Sequence, residues 1–136
     1  MRVAQLKAGD LLPVREHTPS NVSLFLYNAA VWNAHRIHYD AQYTREVERH
    51  PGIVIDGPLQ GDWLAQCVVN WLGEFGELQR FQYSNRRACY LGETLVCGGQ
   101  VLAVDLAARQ VTVDLWVKNA AGEVTSPGQA TLLLHG

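Results

Sequence analysis

Apolar side chains recur at Leu59, Trp63, Cys67, Trp71 and Phe75, each four residues from the next, with Leu64, Val68 and Leu72 alongside. Intervals of four keep to one side of a helix, so this stretch predicts one long helix with a broad apolar face. Gln60, Asp62, Gln66, Asn70 and Glu74 fill its other side. Pro58 suits the first turn, where its missing N–H costs nothing, and Gly73 or Gly76 ends the helix. A face that wide must be covered by something, and the second half of the chain reads as strands.

Leu78 to Tyr83 and Thr94 to Val104 are strand candidates, the second with Gly98-Gly99 in its middle, which suggests a bulge or bend. Asp105 to Arg109 is a turn. Val111, Val113, Leu115 and Val117 alternate with Thr112, Asp114 and Trp116, a period-two strand. Asn119 to Gly122 turns the chain back, and Glu123 to Leu134 is a last strand interrupted at Pro127-Gly128. Before the long helix, Leu11 to Arg15 suits a short first strand. Val22 to Trp32 is apolar without clean alternation and stays open between strand and short helix. Asp40 is a candidate N-cap for a helix over Ala41 to Arg49, stopped by His50-Pro51-Gly52. The expected architecture is α+β, an antiparallel sheet wrapped around a long central helix, because that helix is the only element apolar enough to cover the sheet.

The 136 residues fit a single domain, 1–136. A net charge of −2 gives no basic field for nucleic acid. No apolar run approaches the ~20 residues of a membrane span, and the first ten residues lack the apolar core of a signal peptide. Cys67, Cys89 and Cys97 are odd in number, with no CxxC spacing, which reads as free thiols in a reducing compartment. Cytoplasmic is the expected location.

The densest chemistry lies in Asn33-Ala34-His35-Arg36-Ile37-His38-Tyr39-Asp40, followed by Gly52-Ile53-Val54-Ile55-Asp56-Gly57-Pro58-Leu59-Gln60. These two motifs resemble the MaoC-like hydratase/dehydratase family. They are most similar to the branch of type 2 hydroxyacyl-thioester dehydratases and mesaconyl- or itaconyl-CoA hydratases. The resemblance covers roughly residues 20 to 105. It implies a hotdog fold and (R)-specific hydration of a 2-enoyl-CoA, or the reverse dehydration of a 3-hydroxyacyl thioester. The family's usual motif is D-x-N-P-x-H, whose Asp and His hold the attacking water. Asn33 stands in the Asp place, His35 in the Asn place, Arg36 in the Pro place and His38 in the His place. Asp56 stands where His is common. An amide has no useful basicity, so Asn33 is left to orient water through its carbonyl and NH₂.

Hydration needs water deprotonated as it attacks the β carbon, a proton for the α carbon, and stabilisation of the thioester oxygen. An imidazole, with an ordinary pKa near ~6.5, takes and returns protons near neutrality, which makes His38 the candidate acid/base with Asn33 beside it. Gly57 opens the long helix, and its N–H, backed by the helix dipole, is the candidate oxyanion donor. A glycine needed only for the turn before Pro58 is the competing reading. His35, Arg36 and Arg86 are candidate substrate contacts, with Arg86 or Arg87, not both, facing a groove where a CoA phosphate would sit. Asp40 reads as a helix cap, and Asp56 as either tuning the site or bonding helix N–H groups. Trp63 and Trp71 read as core, while Tyr27 and Trp32 are candidates to wall an acyl pocket. His35 and His38 lack a third ligand at a convincing spacing, so no metal is expected, and no cofactor beyond the thioester substrate.

The expected partners are an acyl-CoA or acyl carrier protein thioester and a second copy of the chain, as a homodimer or dimer of dimers, since a lone hotdog exposes sheet edges. Two other functions fit the same fold. One is a hotdog thioesterase, which needs a carboxylate to direct water, with Asp62 and Glu74 the carboxylates on the long helix. The other is a non-catalytic acyl-thioester-binding domain.

Overall fold

The computed structural model describes residues 3–136. A short strand β1 (Arg15–His17) is followed by helix α1 (Asn21–Ala30), a single 3₁₀ turn over Arg36–His38, and helix α2 (Ala41–Glu46). The long helix α3 (Gly57–Leu72) comes next, and then strands β2 (Gly76–Tyr83), β3 (Leu95–Asp105), β4 (Gln110–Lys118) and β5 (Val124–Leu134). The five strands form one antiparallel sheet in the order β1-β3-β4-β5-β2.

α3 lies across one face of this sheet, as its apolar pattern predicts. Trp63, Leu64, Cys67, Val68 and Leu72 are buried on that helix. They share one core with Val111, Val113, Leu115 and Val117 of β4 and with Ala130, Leu132 and Leu134 of β5. The alternation read in β4 is the alternation observed, with its four branched residues inward. Each such side chain removed from water contributes about 1.5–3 kcal/mol, which makes the α3–sheet contact the dominant source of stability. Trp71 is half-buried at the margin of this core. Gly73, in the left-handed region at φ 58°, closes the helix.

Several local expectations are corrected. The open segment 22–32 is helical over Asn21–Ala30. Ser20 accepts from the Ser23 N–H, and the Ser23 hydroxyl accepts from the Ser20 N–H, a reciprocal cap that starts the helix. The first strand begins at Arg15, where the expected one ends. Leu11 makes only an isolated bridge to Gln100, and Pro13, lacking an N–H, cannot extend the pairing. α2 stops at Glu46, three residues early, and Arg49 adopts φ 62° in the turn before Pro51.

Gly98 and Gly99 carry no bulge. They pair in register with Trp116 and Leu115, and the irregularity falls between Val101 and Ala103. Nor is β5 broken at Pro127-Gly128. The Pro127 carbonyl accepts from the Ser84 N–H, so the polar edge of this residue faces the end of β2, where no ladder bond to its nitrogen is required.

The three thiols are free and buried, and burial raises the pKa of each, that of Cys97 to about 12. No helix among the described residues is long and apolar enough to cross a membrane.

Candidate active site

The loop from α1 to α2 passes over the N-terminal end of α3, and this crossing brings His38 to Asp56. The 3₁₀ turn over Arg36–His38 buries the His38 ring, and the strand-like segment Ile53–Ile55 runs beside it. His38 Nδ1 lies 2.7 Å from the Val54 carbonyl oxygen. A carbonyl only accepts, so Nδ1 carries the proton of this bond. The other ring nitrogen, Nε2, is then the one free to take a proton. It lies 3.4 Å from Asp56 Oδ2.

Asp56 is at the N-cap of α3, yet its carboxylate makes no bond to the helix N–H groups. Of the two readings of this residue, the helix cap is not observed. The carboxylate turns instead toward α1, where Asn28 Nδ2 donates to Oδ1 at 3.0 Å and to the Leu24 carbonyl at 2.8 Å. Asp56 is wholly buried. Burial raises its pKa above the ordinary 3.8, against the opposing pull of the Asn28 bond and of His38. Asp56 Oδ2 and Asn28 Oδ1 are buried without a hydrogen-bond partner.

Asn33 is within the same loop, but its Oδ1 accepts from the His35 N–H at 3.1 Å, which closes a local turn. His35 Nδ1 accepts from the Ile37 N–H at 3.3 Å, and its ring meets that of His38 edge-on at 5.9 Å. Arg36 is held by Asp40 at 2.8 Å and lies over the Tyr43 ring at 4.1 Å. Asp40 also accepts from the Tyr43 N–H, the cap that the sequence suggested. That N–H and the Arg36 guanidinium hold the Asp40 carboxyl below its ordinary range. Arg36 is thus engaged on the surface, away from the buried pair.

Gly57 begins α3, and the Asn85 side chain lies against it, donating to the Gly57 carbonyl at 3.2 Å and to Ser126 Oγ at 2.9 Å. Ser126 in turn donates to Gln60 Oε1 at 2.9 Å, so the first turn of α3 is anchored to β5 through buried polar groups. Arg87 pairs with Glu123. Its neighbour Arg86 lines an open groove of about 380 Å³ with Tyr83, Ser84 and Gln129. A second groove, of about 360 Å³, runs along α1 between Phe25, Trp32 and Tyr39, with Asn28 and Asn33 at its edge. Tyr27 faces away from it, its hydroxyl 3.4 Å from Asp62, and burial raises its pKa to about 12. Sequence reasoning brought His38, Asn33 and Gly57 to one region but missed Asn28. The available signal was one carboxamide inside an apolar run. No group of three or more metal-ligating side chains is found among the described residues.

An antiparallel five-stranded sheet curled around one long helix is the hotdog fold. An (R)-hydratase from A. caviae involved in PHA biosynthesis superposes with a TM-score of 0.87 over 96% of this chain and 98% of that one, at 14% identity. An R-hydratase from Pseudomonas aeruginosa gives 0.85 over 97% and 84%, at 21% identity. These likenesses concern the fold. The family model described as hydroxyacyl-thioester dehydratase type 2 matches residues 4–91, more than half of the sequence, and the chain belongs to that family.

The mesaconyl-C(4)-CoA hydratase of Chloroflexus aurantiacus is 47% identical over 45 residues, 33% of this chain and 16% of that protein. The mitochondrial hydroxyacyl-thioester dehydratase type 2 of Saccharomyces cerevisiae is 28% identical over 82 residues, 60% of this chain and 29% of that protein. The matched stretch thus covers less than a third of either relative.

Proposed function

We propose that this protein adds water across the C2–C3 double bond of a 2-enoyl thioester, or removes it from a 3-hydroxyacyl thioester, with (R) specificity and with His38 as the acid/base. The observation that carries this reading is the fixed tautomer of His38. Its Nδ1–H is committed to the Val54 carbonyl, which leaves Nε2 as the one basic nitrogen, at the mouth of α3.

In the forward direction Nε2 takes a proton from water as the oxygen bonds to C3. The electron pair of the double bond moves through C2 onto the thioester oxygen. The Gly57 N–H and the positive end of α3 stabilise that oxygen. The proton then passes from Nε2 to C2, which restores the carbonyl and the neutral imidazole. Asn33 contributes by shaping the loop that presents His38, and its NH₂ group remains to orient water. His35 lines the approach, and Arg36 and Arg86 offer guanidinium groups to the phosphates or carboxylates of the substrate, Arg86 from the open groove.

The substrate is carried on CoA or on an acyl carrier protein, within fatty acid metabolism. The uncovered β2 edge favours a homodimer or a dimer of dimers, and the free thiols favour the cytoplasm. The protein works without a metal or resident cofactor.

The test is loss of the conjugated enoyl absorbance of crotonyl-CoA and of branched and dicarboxylic enoyl-CoAs, with His38→Ala in parallel. Hydration by the wild type and a loss of about 10²-fold or more in the variant supports the reading. Release of free thiol in place of hydration makes the protein a thioesterase. Binding of CoA without turnover across the panel makes it a binding domain.

A further inference from the structure

His38 Nε2 has a carboxylate within reach. It faces Asp56 Oδ2 at 3.4 Å, and that oxygen has no other partner. The carboxylate is held there from behind, because Asn28 uses one N–H on Oδ1 and the other on the Leu24 carbonyl one helical turn earlier. The arrangement is therefore directional: one carboxylate oxygen is satisfied by α1 and the other is kept for the imidazole. With Nδ1–H given to Val54, a neutral His38 turns a bare nitrogen toward the oxygen of Asp56, and once Asp56 is ionised these are two acceptors with no proton between them. That juxtaposition is relieved when Nε2 gains a proton, since Nε2–H then has an acceptor already in place.

We propose that Asp56 is a positioning residue for His38, receiving on Oδ2 the proton-bearing Nε2 that forms when water is deprotonated, and that Asn28 holds the carboxylate for that purpose. This rests on the hydratase reading for its consequence in catalysis. The pairing itself does not depend on it. Asp56 has no exposed surface and His38 retains a little, so substrate meets the imidazole and the carboxylate acts through it. A carboxylate facing Nε2 offers an acceptor to the imidazolium Nε2–H during the interval before the proton is delivered to C2.

The remaining titratable neighbours are few. His35 meets the His38 ring edge-on from the same loop. Tyr27 of α1 stays protonated, its pKa raised to about 12. Asp62 of α3 is bonded to Tyr27 rather than to the pair. Arg36 and Asp40 neutralise each other on the surface of the same loop.

The experiment is the steady-state kinetics of enoyl-CoA hydration for the wild type, Asp56→Asn, Asp56→Glu and Asn28→Ala, with thermal melting to confirm folding. Alongside it, the His38 ring-nitrogen resonances are compared by NMR in the wild type and in Asp56→Asn. Asp56→Asn is expected to lower kcat about 10²-fold and leave KM within about threefold. Asp56→Glu recovers part of the rate, and Asn28→Ala loses about tenfold. The Nε2 resonance of His38 is expected to move between the two proteins, while that of Nδ1, held by the Val54 carbonyl, stays.

A folded Asp56→Asn with kcat within about threefold of wild type overturns the proposal while leaving the hydratase reading intact. If the wild type hydrates nothing in the panel, the hydratase reading fails by itself and the resonances alone decide the pairing. An Nε2 resonance displaced in Asp56→Asn upholds it, and identical resonances in both proteins overturn it.

Discussion

The Asn85 carboxamide lies so close over Gly57 that a Cβ added to the glycine would overlap Asn85 Oδ1. The same carboxamide ties the Gly57 carbonyl to Ser126 of β5, so it cannot swing away without giving up both bonds. The glycine that begins α3 is thus required by packing as well as by any approach of substrate to its N–H. Gly57→Ala is expected to cost about 1–3 kcal/mol in urea unfolding. In the Asn85→Gly background most of the overlap penalty disappears, leaving a coupling energy between the two positions of about 1 kcal/mol or more. Strict additivity of the two substitutions would show that Asn85 is not the obstacle.

Gly98 and Gly99 separate two kinds of crowding. A Cβ at Gly99 would lie 2.7 Å from the Asp114 carbonyl oxygen, a backbone atom fixed in the β3–β4 ladder. A Cβ at Gly98 would lie 2.9 Å from Nε1 of the half-exposed Trp116 ring, which can rotate. Gly99→Ala is expected to cost about 2–3 kcal/mol and Gly98→Ala about 1 kcal/mol or less. Thermal unfolding of the two variants gives the order, and a larger loss at Gly98 would reverse the argument.

How much could be read in advance depends on the range of the interactions involved. α3 and β4 were legible because their periods, four and two, arise from neighbours in sequence. The Asp40 cap was legible for the same reason, with donor and acceptor three residues apart. α1 was not, because Val22, Phe25, Leu26 and Val31 are exposed and erase the amphipathic signature. The glycine pair suggested a bulge because a sequence does not say which strand will lie opposite. At the site, His38, Asn33 and Gly57 were named as candidates through motif and resemblance. The Asn28–Asp56–His38 contact was not, since it depends on how the loop crosses the mouth of α3.

Trp32, just past the end of α1, adopts a left-handed conformation, φ 60°, and the residue is 94% exposed. Bulky side chains strain that backbone by about 1–3 kcal/mol, and the exposed ring recovers nothing by burial within this chain. Trp32→Gly is therefore expected to stabilise the fold by about 1 kcal/mol in urea unfolding. The ring also forms one wall of the α1 groove. If the groove receives the acyl chain, the same variant raises KM for long-chain enoyl-CoAs more than for crotonyl-CoA, a comparison made at constant protein concentration.

The raised pKa of Asp56 sets the sign of a pH dependence in stability. Below its ordinary value of 3.8 the carboxyl is protonated in both the unfolded and the folded chain, and contributes no difference. As pH rises through 3.8 the unfolded chain releases its proton first, while burial holds it on the folded one. The native state thus loses relative stability across the window from 3.8 up to the raised folded value, and the loss is complete above it. Each unit of separation is worth about 1.4 kcal/mol, and the Asn28 and His38 contacts, which favour the carboxylate, narrow that separation. Asp56→Asn has no such proton to lose. Urea unfolding of both proteins, from about pH 4 to about pH 8, is expected to show the variant gaining on the wild type as pH rises and then holding a constant lead. A lead that shrinks between about pH 4 and about pH 5 and is constant above would mean that the Asn28 and His38 contacts outweigh burial, and would place the folded pKa of Asp56 below 3.8 rather than above it.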